Sequence, residues 1–406
     1  MVKAADPTAP CCTNLYGEVM ELYQKGCLTL PDDVIKIWAD NGFGKMVSRR
    51  QGNHNPRVPS MPAASDKGAK GIYYHVSFYD LQAANHITML PNSVDFVNRE
   101  LDGVNAMNMT DLWIINCSNI RPHAYFLDAL RRKWYGNDIS DEEQSKAFAE
   151  TYYGDSEGAA ECLRDYHKAM LAYGKEEDEH CGEQFYNENL RSIANHLIRG
   201  NMELCSSLNW FTGDMLLDPQ IRTFCLMCKD GVIKLKEYHD KCLNISEGLT
   251  GATKRLFDAT ILLQAKILYH CCNGADLFGT AYRHYTNKNW FEAFMILGDS
   301  AAEYEAADKA MRASEYGLWQ GFYFNECFAD CKHTAYMVRK LMGVAREKGD
   351  NARHDKWYRE IMYAPRDRGV LTLLVNDNHM EDMDLYLAAK KRIGEGKYEL
   401  PIKDWK

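Results

Sequence analysis

In KGIYYHVSFYD, residues 70–80, a run of strand formers (Ile72, Tyr73, Tyr74) gives way to His75, Phe78, Tyr79 and Asp80. Two other strand-like runs end in the same manner. VIKIWADN closes on Trp38, Asp40 and Asn41, and DLWIINCSNI closes on Asn116, Ser118 and Asn119, with Arg121 just beyond. An imidazole and carboxylates can move protons. Amides and a guanidinium form paired hydrogen bonds to vicinal hydroxyls or to a carboxylate. In parallel α/β architectures such groups do their chemistry at the carboxyl ends of the strands. Any one of these residues could merely cap its own loop. Three polar ends of the same kind, with bland opposite ends, point instead to one surface. Asp40 and Asp80 are the candidate catalytic carboxylates. The candidate binding groups are Asn41, Tyr73, Tyr74, His75, Tyr79, Asn116, Asn119 and Arg121.

The loop after the first of these runs, GKMVSRRQGNHNPRVPSMPAASDKGAK, adds Arg49, Arg50 and His54 to the binding set, beside Gln51, Asn53, Asn55 and Arg57. Long loops in compact domains are functional or disordered, and this one is basic and amide-rich in an acidic chain. That composition suits an acidic sugar. The helix after the third run begins near Pro122 and His123, so its first amides could help to hold an anion.

The elements that must position these groups follow from periodicity. LYGEVMELYQKG has helical spacing, and so do SVDFVNRELDGVNAMN and HAYFLDALRRKWYG, which alternate with the three apolar runs. Near-continuous apolar strands alternating with helices mean a parallel sheet covered on both faces. Three such units fit part of a (β/α)8-type barrel or a doubly wound sheet. From about residue 141 the chain reads as all-α, with successive apolar stripes and short connections that suggest an antiparallel helical bundle. The expected fold class is therefore α/β then all-α, divided into residues 1–140, a bundle over 141–365 and a tail over 366–406.

Composition removes several function classes. The chain has 406 residues and a net charge of −9, against the basic face that a nucleic-acid binder needs. No run of about 18 apolar residues is present for a membrane span, and the N-terminal residues lack the apolar core of a signal peptide. Aromatic residues reach 12%, which suits packing on sugar rings as well as large helical cores. The 14 cysteines are scattered rather than framework-like, so a reducing cytoplasmic location is the expectation. Cys225 and Cys228, with Cys327, Cys331 and His333, could make a zinc site, but the first pair reads as helix interior; no metal and no cofactor are expected. KEEDEHCGEQFYN reads as a solvated charge run, unless the bundle packs over the strand ends and turns Glu179, His180 and Glu183 into lid contacts. There is no phosphate-binding glycine motif and no nucleophile elbow.

DDVIKIWADNGFGKM, GIYYHVSFYD and LWIINCSNIRPHAYFLDALRRKWYG together resemble the barrel domain of glycoside hydrolase family 115, the xylan α-1,2-glucuronidases, over roughly residues 15–136. The family shows WADDN-type, VYYHxSY-type and IVNVGDxKPxE-type strand ends in this order. The resemblance implies a partial barrel followed by a helical domain. It also implies that Asp40, Asn41, Tyr73 or Tyr74, and His75 line the substrate pocket. Phe78 stands where the family has Tyr, Asn119 where it has Asp, Arg121 where it has Lys, and His123–Ala124 where a Glu is usual. Two carboxylates of the third motif are thus missing, and the family's upstream strands have no counterpart in this chain.

The expected function is a glycoside hydrolase that removes (4-O-methyl)glucuronic acid from xylan-type oligosaccharides by inversion, with two carboxyls ~6.5–9.5 Å apart. The other reading is a non-catalytic carbohydrate-binding relative or a fragment of a longer glycosidase. In the first, His75 and Arg121 bind hydroxyls or the uronate and Asp40 handles the proton. The expected partner is an oligosaccharide or glycan, without nucleic acid or membrane, and a homodimer is a further expectation.

Overall fold

The computed structural model describes residues 2–48, 57–78, 83–154, 156–324, 326–368 and 380–396. Four parallel strands form one sheet in sequential order: β1 (Cys11–Leu15), β2 (Val34–Ala39), β3 (Lys70–His75) and β4 (Leu112–Asn116). β2, β3 and β4 are the three expected runs. β1 corrects the sequence reading, which starts a helix at Leu15; the helix is Glu18–Gln24, after Gly17 turns the chain at φ 53°. CCTNL carries one β-branched residue and no apolar run, so it has little strand character of its own. It pairs because β2 would otherwise leave its backbone N–H and C=O groups unpaired, from Cys11 opposite Val34 to Leu15 opposite Trp38. Four strands in an open sequential sheet are the observed architecture, and a closed barrel is not among the described residues.

The helices Val94–Ala106 and Ile120–Trp134 follow β3 and β4 as expected. The helical part is dominated by Leu217–Gly248, Ile261–Thr286, Trp290–Ala313 and Cys331–Gly349. Ile261–Thr286 and Trp290–Ala313 pack along one another across a three-residue connection, which reverses the chain between them. No described helix is long and apolar enough to cross a membrane. Trp38, Ile72 and Tyr74 of the sheet belong to the same buried cluster as Phe185, Phe224, Leu268 and Phe278 of the helices. Each such side chain contributes about 1.5–3 kcal/mol when fully buried. The sheet and the helices therefore share a core rather than burying two separate ones.

The cysteines take part in that core. Cys228 is buried, Cys331 lies with its Sγ 3.6 Å from that of Cys271, and all fourteen are free. Among the described residues no group of three or more His, Cys, Asp or Glu side chains could hold a metal ion.

Candidate active site

The carboxyl ends of β2, β3 and β4 are built mostly by side chains bonding to nearby backbone. Asp40 is 1% exposed, and its Oδ2 accepts the amides of Gly42 (3.0 Å) and Gly44 (2.8 Å). Asn41 Oδ1 accepts the amides of Phe43 (3.0 Å) and Lys45 (3.2 Å). Both glycines have positive φ, 86° and 84°, and a Cβ on either would overlap Phe78 or the Tyr74 hydroxyl. The loop thus needs glycine at both positions. Tyr74 lies wholly beneath it and donates its hydroxyl to Gly44 O at 2.8 Å. Burial, with Asp40, Glu100 and Asp178 nearby, raises the Tyr74 phenol well above its ordinary value.

The remaining oxygen of Asp40, Oδ1, lies 2.5 Å from His75 Nδ1. With Nδ1 donating to Oδ1, Nε2 is the second ring nitrogen. Nε2 is buried and has no hydrogen-bond partner among the described residues. The ring is walled by Tyr73 at 4.5 Å, Phe78 at 4.6 Å and Tyr16 at 6.4 Å between centroids. Asn116 Nδ2 donates to the Tyr73 hydroxyl at 2.8 Å, and Ser77 donates to Ser118 at 2.8 Å, tying β3 to β4.

The structure therefore brings together Asp40, Tyr73, His75 and Asn116 from the expected set. It places Asn41 and Tyr74 inside, as supports of the loop. Asn119 caps Ile120–Trp134 with its backbone only, and its side chain makes no cap bond. Arg121 is turned into the helical part: Nη2 donates to Ser314 O at 2.8 Å, and Tyr316, Trp319, Phe322 and Tyr323 surround the guanidinium at 5.2–5.8 Å. As placed, it serves packing between the two parts rather than the His75 site. Arg49, Arg50, His54, Tyr79 and Asp80 lie outside the described residues. Sequence reasoning missed Tyr16, because β1 carries no strand signal to announce its end.

The acidic segment 175–184 is solvated only at its start: Lys175, Glu176 and Glu177 are exposed, and the rest packs inward. Asp178, 1% exposed, accepts from Asn41 Nδ2 at 2.7 Å and pairs with Arg57, which also lies 3.7 Å from Glu179. Gly182 packs so tightly on Ala84 and Asn85 that a Cβ there would meet backbone at 2.5 Å. Glu183 is fully buried; Oε1 accepts the amides of His86 (2.5 Å) and Ile87 (2.9 Å), and Oε2 accepts the Thr88 hydroxyl (2.5 Å). Burial pushes its carboxyl up to about 7 against these bonds, which favour the anion. Gln264 adds a bond from Met89 N at 2.6 Å. The segment that follows β3 is thus clamped by the helical part.

Two neutral histidines complete the clamp. His123 Nε2 lies 3.2 Å from His86 O, and burial lowers His123 to about 3 and His86 to about 4. A histidine whose folded pKa lies below its unfolded value contributes stability that is full above about pH 6.5 and is lost as pH falls toward the folded value. Glu183 works in the opposite direction, so the variant comparison isolates the histidine. The stability difference between the native chain and His123→Gln is expected to shrink by up to about 2 kcal/mol from pH 6.5 to 5. Urea unfolding at both values checks this; a difference independent of pH would mean that His123 is not held neutral.

The family model described as glycosyl hydrolase family 115 matches residues 1–178. A solved structure, described as "a novel family GH115 4-O-Methyl-alpha-glucuronidase, BtGH115A, with specificity for decorated arabinogalactans", aligns with a TM-score of 0.47 and 15% identity. The alignment covers 82% of this chain and 37% of that one. No curated protein matches.

Proposed function

We propose, on the premise that residues 1–178 belong to glycosyl hydrolase family 115, that this chain supplies part of a glycoside hydrolase site for uronic-acid-decorated glycans. The observation that carries the reading is the buried Asp40–His75 pair at the carboxyl ends of parallel strands, with Nε2 of His75 unpartnered. His75 meets the sugar and accepts a proton from a hydroxyl or from the attacking water. Asp40 holds the ring in the tautomer that leaves Nε2 as the acceptor. Tyr73 and Asn116 border the same face and bind hydroxyls. Asp80 is the remaining carboxylate for the general acid of an inverting reaction that releases (4-O-methyl)glucuronic acid.

A second reading has one observation in its favour. Among the described residues the only carboxylate against His75 is Asp40, and both of its oxygens are engaged. A site with one committed carboxylate fits a carbohydrate binder better than a hydrolase.

The deciding experiment is release of glucuronic acid, or its 4-O-methyl form, from decorated xylo-oligosaccharides and from decorated arabinogalactan. Release with the β-anomer appearing first supports an inverting hydrolase. Asp40→Asn should lower that turnover about 10- to 100-fold and shift its pH profile, because the ring loses its orienting acceptor. Sugar binding without release, by protein shown to be folded, selects the second reading.

A further inference from the structure

Side chains alternate across a sheet. Trp38 pairs with Ile72, and Ala39 with Tyr73, so Lys36 and Trp38 project from the face opposite Tyr73 and His75. There the helix Glu18–Gln24 and the segment 58–67 line an open cavity of about 710 Å³. Gln24 holds that segment in place through bonds to Pro59 O and Met61 O, both 3.0 Å.

The polar groups inside are engaged in an uneven way. The Lys36 ammonium meets three acceptors: Asp66 Oδ1 at 2.6 Å, the Tyr23 hydroxyl at 3.3 Å and Lys67 O. Tyr23 donates to the same Asp66 Oδ1 at 2.9 Å. The three protons of Lys36 are thereby used, and Asp66 Oδ1 is doubly occupied. Among the described residues Asp66 Oδ2 is buried without a donor, and the Trp38 indole N–H is buried without an acceptor. Both residues line the cavity.

We propose that this cavity is a second ligand site, separate from the His75 site, and that it takes one neutral sugar unit. Unpaired buried polar atoms of opposite kind call for a group that both donates and accepts, which a hydroxyl does. The charges on the wall cancel, Asp32 and Asp66 against Lys36 and Lys67. The free carboxylate oxygen repels a uronate. Leu30 and Pro62 offer apolar surface to the C–H face of a ring. The volume falls within the range of small-molecule sites, about 300–1,000 Å³.

The test is calorimetry and saturation-transfer NMR on the full chain with xylose, galactose and glucuronate. Saturable binding of a neutral sugar is expected, with glucuronate at least about tenfold weaker at this site. Trp38→Phe, which removes the N–H and keeps an aromatic ring, should weaken binding about tenfold. Ala63→Trp, at the exposed rim, should block entry without touching the buried bonds, and it decides the matter should Trp38→Phe not fold. His75→Gln should bind the neutral sugar as the native chain does. Binding unaffected by both cavity variants, or lost only in His75→Gln, overturns the proposal. So does the absence of neutral-sugar binding, which would leave water as the partner of the two atoms.

Discussion

His75→Ala should lower uronic acid release by about 10²–10⁴-fold while the protein remains folded. The argument rests on three placements. The ring is wholly buried, its Nδ1 is fixed 2.5 Å from Asp40, and its Nε2 has no partner among the described residues. His75→Phe keeps a ring in the same place but removes the Nδ1 donor of the buried Asp40 Oδ1, so it should lose stability as well as release. Release abolished in both variants, each shown to be folded, is the expected outcome. Release within twofold of the native value in His75→Ala would end the assignment. Phe78 stands with its ring 4.6 Å from that of His75, and Phe78→Ala, which removes that wall, should change KM more than turnover.

Glu183→Ala should destabilise the protein by about 3–5 kcal/mol, because two backbone amides and one hydroxyl lose their acceptor in a buried place. Glu183→Gln should cost far less, since one amide oxygen still faces His86 N and Ile87 N. The two variants also differ in pH response. The native carboxyl, raised to about 7 by burial, holds its proton when the unfolded chain has already released its own above about 4.5. The folded state binds the extra proton in that window, so native stability falls as pH rises from about 4.5 to 7. Relative to Glu183→Gln the fall should approach about 3 kcal/mol. Denaturant unfolding across that range measures it, and parallel curves for the two proteins would show that Glu183 is an ordinary anion held by its donors.

The α/β-then-helical order was legible in residue types, because β2, β3 and β4 are dense in branched and aromatic residues and the later segments carry apolar stripes at helical spacing. The polar strand ends were legible for the same reason, as abrupt changes of residue type at positions where a strand must stop. Local pattern also supplied the resemblance that the family match over residues 1–178 bears out. β1 was not legible. Its residues have no strong preference and take strand form only because β2 offers an edge.

Residue type alone also could not say which polar groups face one another. Asp40, Asn41, Tyr74 and Arg121 carry groups that suit substrate, yet each is turned inward. The first two bond the loop at 42–45, Tyr74 supports Gly44, and Arg121 enters an aromatic cage more than 190 positions along the chain. KEEDEHCGE shows the reverse case, since a run that reads as solvated holds two buried carboxylates, Asp178 and Glu183. Residue order set β2, β3 and β4, the helices after them and the class of groups at the strand ends, because those depend on neighbours within a few residues. Which group stays free was settled by packing. A polar side chain is used up by whatever donor or acceptor packs against it, and here those partners come from segments as distant as Asp178 is from Asn41.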